Sequence, residues 1–247
     1  MSKENMRNLI ICPVGNPITF DSRFDKDNHW RYTKKDRLYE TLVFQYSNFV
    51  PEDGTYDILI EQKGFKWSLS KEWLPKIDIF KYDYIGFLDD DLITDIDNTN
   101  RALQLAEKNQ FKIFQLSVTK DSDEFFPILR NKPGIKYSVT NFVETMGMFL
   151  HTSLIPTVLD FWSEYDIYCG WGFDKVLCDI TKTDAHVIHS SQMYHPKKIS
   201  SYDKTSAFRE MDKVLYEVTP KFIEKTYGEK WNFVEDQREK MIIMETL

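Results

Sequence analysis

The chain has 247 residues, of which 42% are hydrophobic and 15% aromatic, and a formal net charge of −7. A chain of this length can bury a core without disulfides or metals, and it suits one large α/β domain or one domain with a small appendage. The negative charge argues against a nucleic-acid partner, which needs a basic surface. Cys12, Cys169 and Cys178 include no C-x-x-C pair. Their odd number argues against a disulfide framework and favours a reducing compartment.

The sequence also bears on targeting. The first apolar run, residues 9–14, is too short for the apolar region of a signal peptide. No run of about 18 successive apolar residues occurs, so no transmembrane helix is expected. We therefore expect a cytoplasmic protein, and a peripheral membrane contact stays open.

Short apolar runs alternate with amphipathic segments over the first 190 residues. The runs predict strands at 9–14, 41–46, 56–60, 82–88, 111–116, 142–150 and 185–188. The amphipathic segments predict helices at 70–77, 97–109, 152–165 and 173–181. Asp97 or Asn98 is the expected N-cap of the second helix. Residues 119–136 are expected to form a polar loop.

This alternation favours a mostly parallel sheet with helices on both faces and ligands at the carboxyl ends of the strands. After His195, residues 206–227 and the end of the chain are predicted to be helical, and Pro220 interrupts or restarts the first of these stretches. We therefore expect an α/β domain at 1–200 and a helical C-terminal extension at 201–247 that packs on it.

Three acidic residues, Asp89-Asp90-Asp91, directly follow the predicted strand at 82–88. Adjacent carboxylates repel one another unless a cation lies nearby. Alternate residues of an extended chain share a face, so Asp89 and Asp91 can point the same way. Two such carboxylates suit Mg²⁺ or Mn²⁺, which would also bind phosphate oxygens. The alternative is a solvated acidic turn that caps the next helix.

A second motif is Gly170-Trp171-Gly172-Phe173-Asp174. The glycines leave space around the Trp171 indole, which can lie against the apolar face of a sugar. Asp174 is a candidate general base for an acceptor hydroxyl. The alternative is a tight turn with a core tryptophan and a helix-capping aspartate.

Histidines form the third feature. Residues 184–189 contain His186 and His189, which lie on opposite faces of the predicted strand, and they lead to His195. His189, at the strand end, is placed to complete a metal site as a neutral imidazole. His195 is the competing candidate, and a structural role is the alternative for each.

The order of these three motifs resembles that of inverting GT-A glycosyltransferases. More closely, the chain resembles the domain-of-unknown-function 707 family, which is regarded as glycosyltransferase-like. The resemblance runs from about residue 8 to 195 and is carried by residues 63–67, 82–92, 114–117, 143–146, 170–174 and 184–189. Two positions depart from the family pattern. Phe173 stands where leucine is common, and Ser190-Ser191-Gln192 replaces a glycine-rich run.

The resemblance implies a GT-A-like α/β domain with a mixed, mostly parallel sheet flanked by helices. It implies metal-dependent, inverting transfer of a sugar from a nucleoside-diphosphate sugar to a hydroxyl of a carbohydrate or lipid-linked acceptor, in surface polysaccharide or glycan synthesis. In this reading Mn²⁺ or Mg²⁺ is held by Asp89, Asp91 and His189, and Asp174 is the catalytic base. The donor would be bound by Asp89, Asp90, Lys66, Trp171 and Gly172.

Two other functions stay open. A carbohydrate-binding or scaffold protein would keep this fold without turnover, and the altered histidine region is the reason to consider it. A metal-dependent phosphohydrolase would use the same acidic cluster. It ranks last because no second carboxylate or lysine motif stands at a recognisable spacing.

Overall fold

The computed structural model describes residues 7–123, 126–196 and 203–234, and the backbone of 241–246. The described strands are β1 (Asn8–Val14), β2 (Glu40–Gln45), β3 (Ile58–Glu61), β4 (Tyr84–Leu88), β5 (Ile113–Val118), β6 (Ile135–Thr140), β7 (Gly147–His151), β8 (Ala185–Met193) and β9 (Met241–Thr246). The described α-helices are α1 (Lys66–Trp73), α2 (Ile96–Asn109), α3 (Ile155–Ser163), α4 (Phe173–Thr181), α5 (Lys204–Lys213) and α6 (Thr219–Tyr227).

The described strands form one nine-stranded sheet in the order β3-β2-β1-β4-β7-β5-β8-β6-β9. The strands β3, β2, β1 and β4 are parallel, as are β5 and β8. The strands β7 and β6 run antiparallel to their neighbours. The expected mixed, mostly parallel sheet is therefore confirmed. Because β1 and β4 are parallel neighbours, the residues that follow them lie close together at the carboxyl ends of these strands.

Helices cover both faces of the sheet, as the alternation of elements predicted. On one face, apolar residues of α1, α3, α4 and α6 pack with apolar residues of β1, β2 and β4 and form a large buried cluster. On the other face, α2 packs with a second cluster that includes the buried Trp30 and Tyr39. Among the described residues, no helix is long and apolar enough to cross a membrane.

Two helix boundaries differ from those predicted. The first helix begins at Lys66 and ends at Trp73, whereas 70–77 was predicted. Pro75 explains the early end, because proline lacks the N–H that an α-helix needs and restricts the residue before it; a 3-10 turn, Leu74–Lys76, follows. For α2 the N-cap is Asp95, whose side chain accepts a hydrogen bond from Asn98 N, so the predicted caps Asp97 and Asn98 are wrong.

The second half of the sheet departs furthest from prediction. Part of the expected loop at 119–136 belongs to β6. The strand predicted at 142–150 is shorter and begins at Gly147, while β8 continues to Met193, five residues past its predicted end. The helix predicted at the end of the chain is wrong for 241–246, which form β9 against β6. A strand depends on packing and hydrogen bonds with its partner strand, and the local sequence pattern does not reveal that partner.

The segment after residue 203 is helical as far as Tyr227. A five-residue π-helical turn, Val214–Val218, joins α5 to α6. Pro220 lies in the first turn of α6, where the missing N–H has no helical partner to lose. Proline therefore restarts the helix here, in agreement with the sequence.

Candidate functional site

The acidic cluster, defined as Asp89, Asp90 and Asp91, directly follows the carboxyl end of β4. The backbone N–H of Asp89 still donates to the carbonyl of Met146, at 2.9 Å, and this fixes the start of the cluster. The Asp89 Oδ1 atom accepts a hydrogen bond from Lys66 Nζ at 2.6 Å. The same ammonium donates to the carbonyl oxygen of Thr145, also at 2.6 Å. The buried Lys66 at the first turn of α1 thus brings a positive charge to the cluster.

The middle residue, Asp90, holds the loop that follows β1. Its Oδ2 atom accepts hydrogen bonds from the backbone N–H of Gly15 at 2.9 Å and from the side-chain amide of Asn16 at 3.3 Å. Tyr46, at the end of β2, packs so closely on Gly15 that any side chain there would overlap its ring. The parallel pairing of β1 with β2 and β4 places these residues together.

His195 lies beside the third aspartate. Its Nε2 atom is 3.5 Å from Asp91 Oδ2, and its Nδ1 atom is 2.8 Å from the carbonyl oxygen of Asp123. An antiparallel bridge between Ile93 and Tyr194 aligns the two segments. Burial opposes a charge on His195, but the hydrogen bond and charge of Asp91 outweigh it and raise the pKa to about 9. His195 is therefore a cation at neutral pH, with both ring nitrogens donating.

The electrostatics of the cluster reflect the closeness of its charges. Burial raises the pKa of Asp89, and the charges of Asp91 and Asp90 add to this effect, whereas Lys66 opposes it. The side chain of Asp89 is 37% exposed, so a ligand in solvent can reach it. Burial together with the charges of Asp90 and Asp91 raises the pKa of the Tyr46 hydroxyl to about 12. These shifts show a concentration of negative charge that Lys66 and His195 offset in part.

The structure does not place His189 with the acidic cluster. His189 is buried within β8. Its Nδ1 atom accepts from Lys132 N at 3.3 Å, and its Nε2 atom is 3.0 Å from Ser138 Oγ. Burial, aided by the charge of Lys132, lowers its pKa to about 4, so the ring is neutral. Both ring nitrogens have protein partners, which corrects the expectation that His189 completes a metal site.

The Gly-Trp-Gly segment joins the same region through α1. The ring of Trp67, next to Lys66, lies against Gly170, where an added Cβ would be 2.6 Å from the indole nitrogen. The φ angles of Gly170 and Gly172 are +82° and +90°, in the left-handed region that favours glycine. An added Cβ at Gly172 would lie 3.2 Å from Met211 Cα. Both glycines therefore allow the left-handed backbone conformation and the close packing of neighbouring residues.

The residues around these glycines divide between core and surface. Phe173 is fully buried, and its ring lies 5.4 Å from that of Trp67. Phenylalanine at this position is thus a core residue that completes the aromatic packing. Trp171 is only half-buried. Its ring meets Phe208 edge-on, with the centroids 5.1 Å apart.

Asp174 lies in the first turn of α4, where the positive end of the helix dipole favours a carboxylate. Its Oδ1 atom accepts a hydrogen bond from Lys175 N at 2.9 Å, and the residue is 9% exposed. Since α4 begins directly after Gly172, the contact of Gly170 with Trp67 places this helix start on the α1 side of the site. Asp174 thus lies three residues after Trp171, at the start of the helix that follows the Gly-Trp-Gly segment.

Glu210 of α5 is a site residue that the sequence did not suggest. Its carboxylate accepts three backbone N–H groups, from Tyr168 at 2.8 Å, Cys169 at 2.8 Å and Gly170 at 3.1 Å. It also accepts the Cys169 thiol at 3.1 Å. Nothing in the local pattern around Glu210 signals this role, because its partners lie about 40 residues earlier in the chain. The buried carboxylate fixes the loop that leads into Gly-Trp-Gly.

The acidic cluster offers part of the ligand set that a metal ion needs. Within the part of the chain that the structure describes, no three His, Cys, Asp or Glu side chains are grouped so as to hold one. The carboxylates of Asp89 and Asp91 do suit Mn²⁺ or Mg²⁺, which bind one or two carboxylates together with phosphate oxygens. Lys66 and His195 now pair with these two carboxylates. A metal would therefore replace the two protein cations.

No family model and no curated protein matches this sequence. Among solved structures, the fold matches the crystal structure of S. aureus TarS 1–349 in complex with UDP-GlcNAc, with a TM-score of 0.52 and 9% sequence identity over 91% of this chain and 74% of that chain. A crystal structure titled simply S. aureus TarS 1–349 gives a TM-score of 0.48 and 10% identity over 90% and 73% of the two chains. The first match shows that the chain has a GT-A-like α/β fold. The likeness to the domain-of-unknown-function 707 family stays an expectation.

Proposed function

We propose that this chain is a glycosyltransferase that moves a sugar from a nucleoside-diphosphate sugar to a hydroxyl of a carbohydrate or lipid-linked acceptor. The observation that carries the proposal is the set of charges at the end of β4, where the acidic cluster meets the buried ammonium of Lys66 and the imidazolium of His195. A surface that gathers both signs of charge can bind a diphosphate together with its counter-ion. The GT-A-like fold supports the same function by analogy.

In this proposal the residues at the edge of the sheet bind the donor. Lys66 releases Asp89 and turns its ammonium to the diphosphate, which it neutralises as a point charge. Asp90 keeps the loop after β1 in place through Gly15. Asp89 and Asp91 are the carboxylates that would hold Mn²⁺ or Mg²⁺, together with phosphate oxygens of the donor. The ion would supply Lewis-acid stabilisation of the leaving diphosphate.

The transfer is proposed to invert the configuration at the anomeric carbon in a single displacement. The acceptor oxygen forms a bond to the anomeric carbon while the bond from that carbon to the diphosphate oxygen breaks. Asp174 takes the proton of the acceptor hydroxyl, and the diphosphate leaves with the electron pair. The position of Asp174 in the first turn of α4, three residues after Trp171, supports this role.

A nucleotide-binding measurement tests the proposal. We expect a nucleoside diphosphate with Mn²⁺ to raise the Tm, because a ligand at 100 times its Kd adds about 2.7 kcal/mol to the free energy of unfolding. For a chain of this size that corresponds to a shift of about 5–10 °C. The Asp91→Asn variant should show a smaller shift. The absence of a shift with uridine, guanosine, adenosine, cytidine and thymidine diphosphates would count against a nucleotide-sugar enzyme.

A second candidate is a carbohydrate-binding protein without turnover. The pairing of Asp89 with Lys66 and of Asp91 with His195 favours it, because cations of the chain itself already occupy the position that a metal would take. The Asp174→Asn variant separates the two functions. Sugar binding by both proteins without transfer or donor hydrolysis by either would favour the binding protein.

A further inference from the structure

Four aromatic side chains border the segment before α4. Phe65, at the start of α1, is 37% exposed, and Phe208 of α5 is 51% exposed. The ring of Phe65 meets Tyr168 edge-on with centroids 4.5 Å apart, and Phe208 meets Trp171 in the same way at 5.1 Å. We call Phe65, Tyr168, Trp171 and Phe208 the aromatic rim. Large apolar side chains left open to solvent in a group are typical of a binding surface.

The rim lies next to the acidic cluster. Phe65 directly precedes Lys66, whose ammonium is 2.6 Å from the Asp89 carboxylate. On the other side of α1, the ring of Trp67 packs on Gly170, the residue before Trp171. A molecule held on the rim would therefore lie beside the residues proposed to bind the donor.

A cavity of about 430 Å³ adjoins the rim on its α5 side. That volume is in the range of small-molecule sites. Tyr168 belongs to both the rim and the cavity wall. The cavity is lined by Asp166, Tyr168, Ser206, Arg209, Glu210 and Lys213. Its wall thus offers hydroxyl, carboxylate, guanidinium and ammonium groups within reach of an aromatic surface.

The two walls of the cavity are tied together. Glu210 accepts the N–H groups of Tyr168, Cys169 and Gly170, so the loop cannot move away from α5 without leaving a buried carboxylate unpaired. The packing of Gly172 on Met211 is a second tie between the same two segments. The rim and the cavity are therefore held in shape before a ligand arrives, which reduces the cost of binding.

We propose that the aromatic rim and this cavity form the acceptor subsite and that the acceptor it takes is a hydroxyl-rich oligosaccharide. Sugar rings present C–H faces that stack on aromatic rings and hydroxyl groups that bond to charged side chains, and this surface combines both. An acyl chain would strip water from Arg209 and Lys213 without replacing their hydrogen bonds. The inference rests on the proposed function, because it assigns the second substrate of the same reaction.

The test compares rim variants on a glycan array of immobilised oligosaccharides. We expect the wild type to be retained by a subset of glycans, and we expect Phe208→Ala and Phe65→Ala to lower that retention about 10-fold each, as the loss of one aromatic contact of about 1.5 kcal/mol implies. Phe80→Ala is the matched control. Phe80 is 70% exposed and precedes β4, at the opposite end of that strand from the acidic cluster. The unliganded Tm of each variant shows whether it folds.

Several outcomes would overturn the inference. These are no retention of the wild type by any glycan, equal retention of the rim variants and the wild type, or an equal loss in Phe80→Ala. Binding of the wild type to phosphatidylglycerol vesicles that is lost in Phe208→Ala, without glycan retention, would assign the rim to a lipid surface instead. Nucleotide-induced Tm shifts of the wild type are measured alongside. Retention that follows the rim in a chain without such shifts would contradict the proposed function while leaving the rim as a carbohydrate site.

Discussion

Lys66 links the acidic cluster to the helix that follows β3. Its side chain is only 6% exposed, and its ammonium is held by the Asp89 carboxylate and the Thr145 carbonyl. A buried ammonium is costly unless it is paired, so the cluster and Lys66 stabilise each other. In the proposed function, the same charge binds the diphosphate of the donor. The family resemblance placed Lys66 with the donor, and that role stays a prediction; the structure adds its contact with Asp89.

The Lys66→Met variant tests this role. Methionine fills a similar volume without charge, and loss of a charged hydrogen bond of about 1.5–3 kcal/mol should weaken nucleoside-diphosphate binding about 10- to 100-fold. Calorimetric titration measures the change in Kd. Lys63→Met, at an exposed lysine three residues earlier, is the control and should bind as the wild type does. Equal affinities of the Lys66 and Lys63 variants would remove Lys66 from the donor site.

The two histidines show what the sequence could and could not give. The apolar pattern ends at Ile188, so His189 was expected at the strand end, near the acidic cluster. In fact β8 continues to Met193, because Ser117 and Val118 of β5 pair with Gln192 and Met193. His189 is therefore inside the strand, and His195 lies past its end beside Asp91. The polar residues that extend β8 leave no apolar pattern in the sequence. The strand with which they pair lies far away in the chain.

Buried His189 makes stability depend on pH. Its pKa is lowered to about 4 from an ordinary value of 6.5, so the unfolded chain binds the proton more readily. Stability is then fully present above pH 6.5 and is lost as the pH falls toward 4. At pH 5 the loss from this residue is about 2 kcal/mol. Urea unfolding at pH 7 and pH 5 should show a smaller loss for His189→Asn than for the wild type, and identical losses would contradict the burial of a neutral ring.

At the scale of elements, the contact between α1 and the segment before α4 holds the site together. Trp67 packs on Gly170, on Phe173 of α4 and on Trp162 of α3. The position of Lys66 thus depends on the same helix turn that fixes the Gly-Trp-Gly loop. We infer that a change at Gly170 would disturb both motifs.

Gly170→Ala should be much more destabilising than Gly134→Ala. Both glycines have a positive φ, of +82° and +83°, but the Cβ at Gly134 would meet nothing within 4 Å. The strain of φ alone costs about 1 kcal/mol. Overlap with the Trp67 ring adds a cost of about 1–3 kcal/mol at Gly170. Chemical denaturation measures both variants, and similar free energies of unfolding would show that the Trp67 contact is looser than described.

Elements with a strong local signature were predictable. The helix α4, Phe173–Thr181, has the predicted bounds, and β1, β2 and β4 lie within two residues of theirs. The antiparallel strands β6 and β9 were missed because each depends on a partner far away in the chain. The aspartates after β4 were predictable as a cluster, since the strand before them is apolar. Their partners Lys66, Gly15 and His195 come from separate segments that only the folded sheet brings together.

At the scale of the whole molecule, the helices after residue 203 share the core of the α/β domain. Phe222 and Ile223 of α6 are buried in the cluster that contains α3 and α4. The ring of Phe222 meets Phe161 edge-on with centroids 5.2 Å apart. Together with the Glu210 contacts, this packing makes the extension a structural support for the Gly-Trp-Gly wall.

Phe222→Ala is therefore expected to lower the free energy of unfolding by about 3–5 kcal/mol, the cost of deleting a buried ring. Tyr216 lies in the neighbouring π-helical turn and is 62% exposed. Tyr216→Ala should therefore change the free energy of unfolding by only about 0.5 kcal/mol. Thermal or urea unfolding compares the two. A small effect at Phe222 would mean that the extension folds apart from the domain.

The acidic cluster is proposed to bind a nucleoside-diphosphate sugar for transfer. The most direct measurement is a panel of nucleotide sugars incubated with the protein and Mn²⁺, in which release of the nucleoside diphosphate is followed for the wild type and for Asp91→Asn. We expect release from one donor or a small set of related donors, lost on chelation of the metal, and about 100-fold slower in the variant. Release from none of the donors by folded protein, or an equal rate in Asp91→Asn, would contradict the claim.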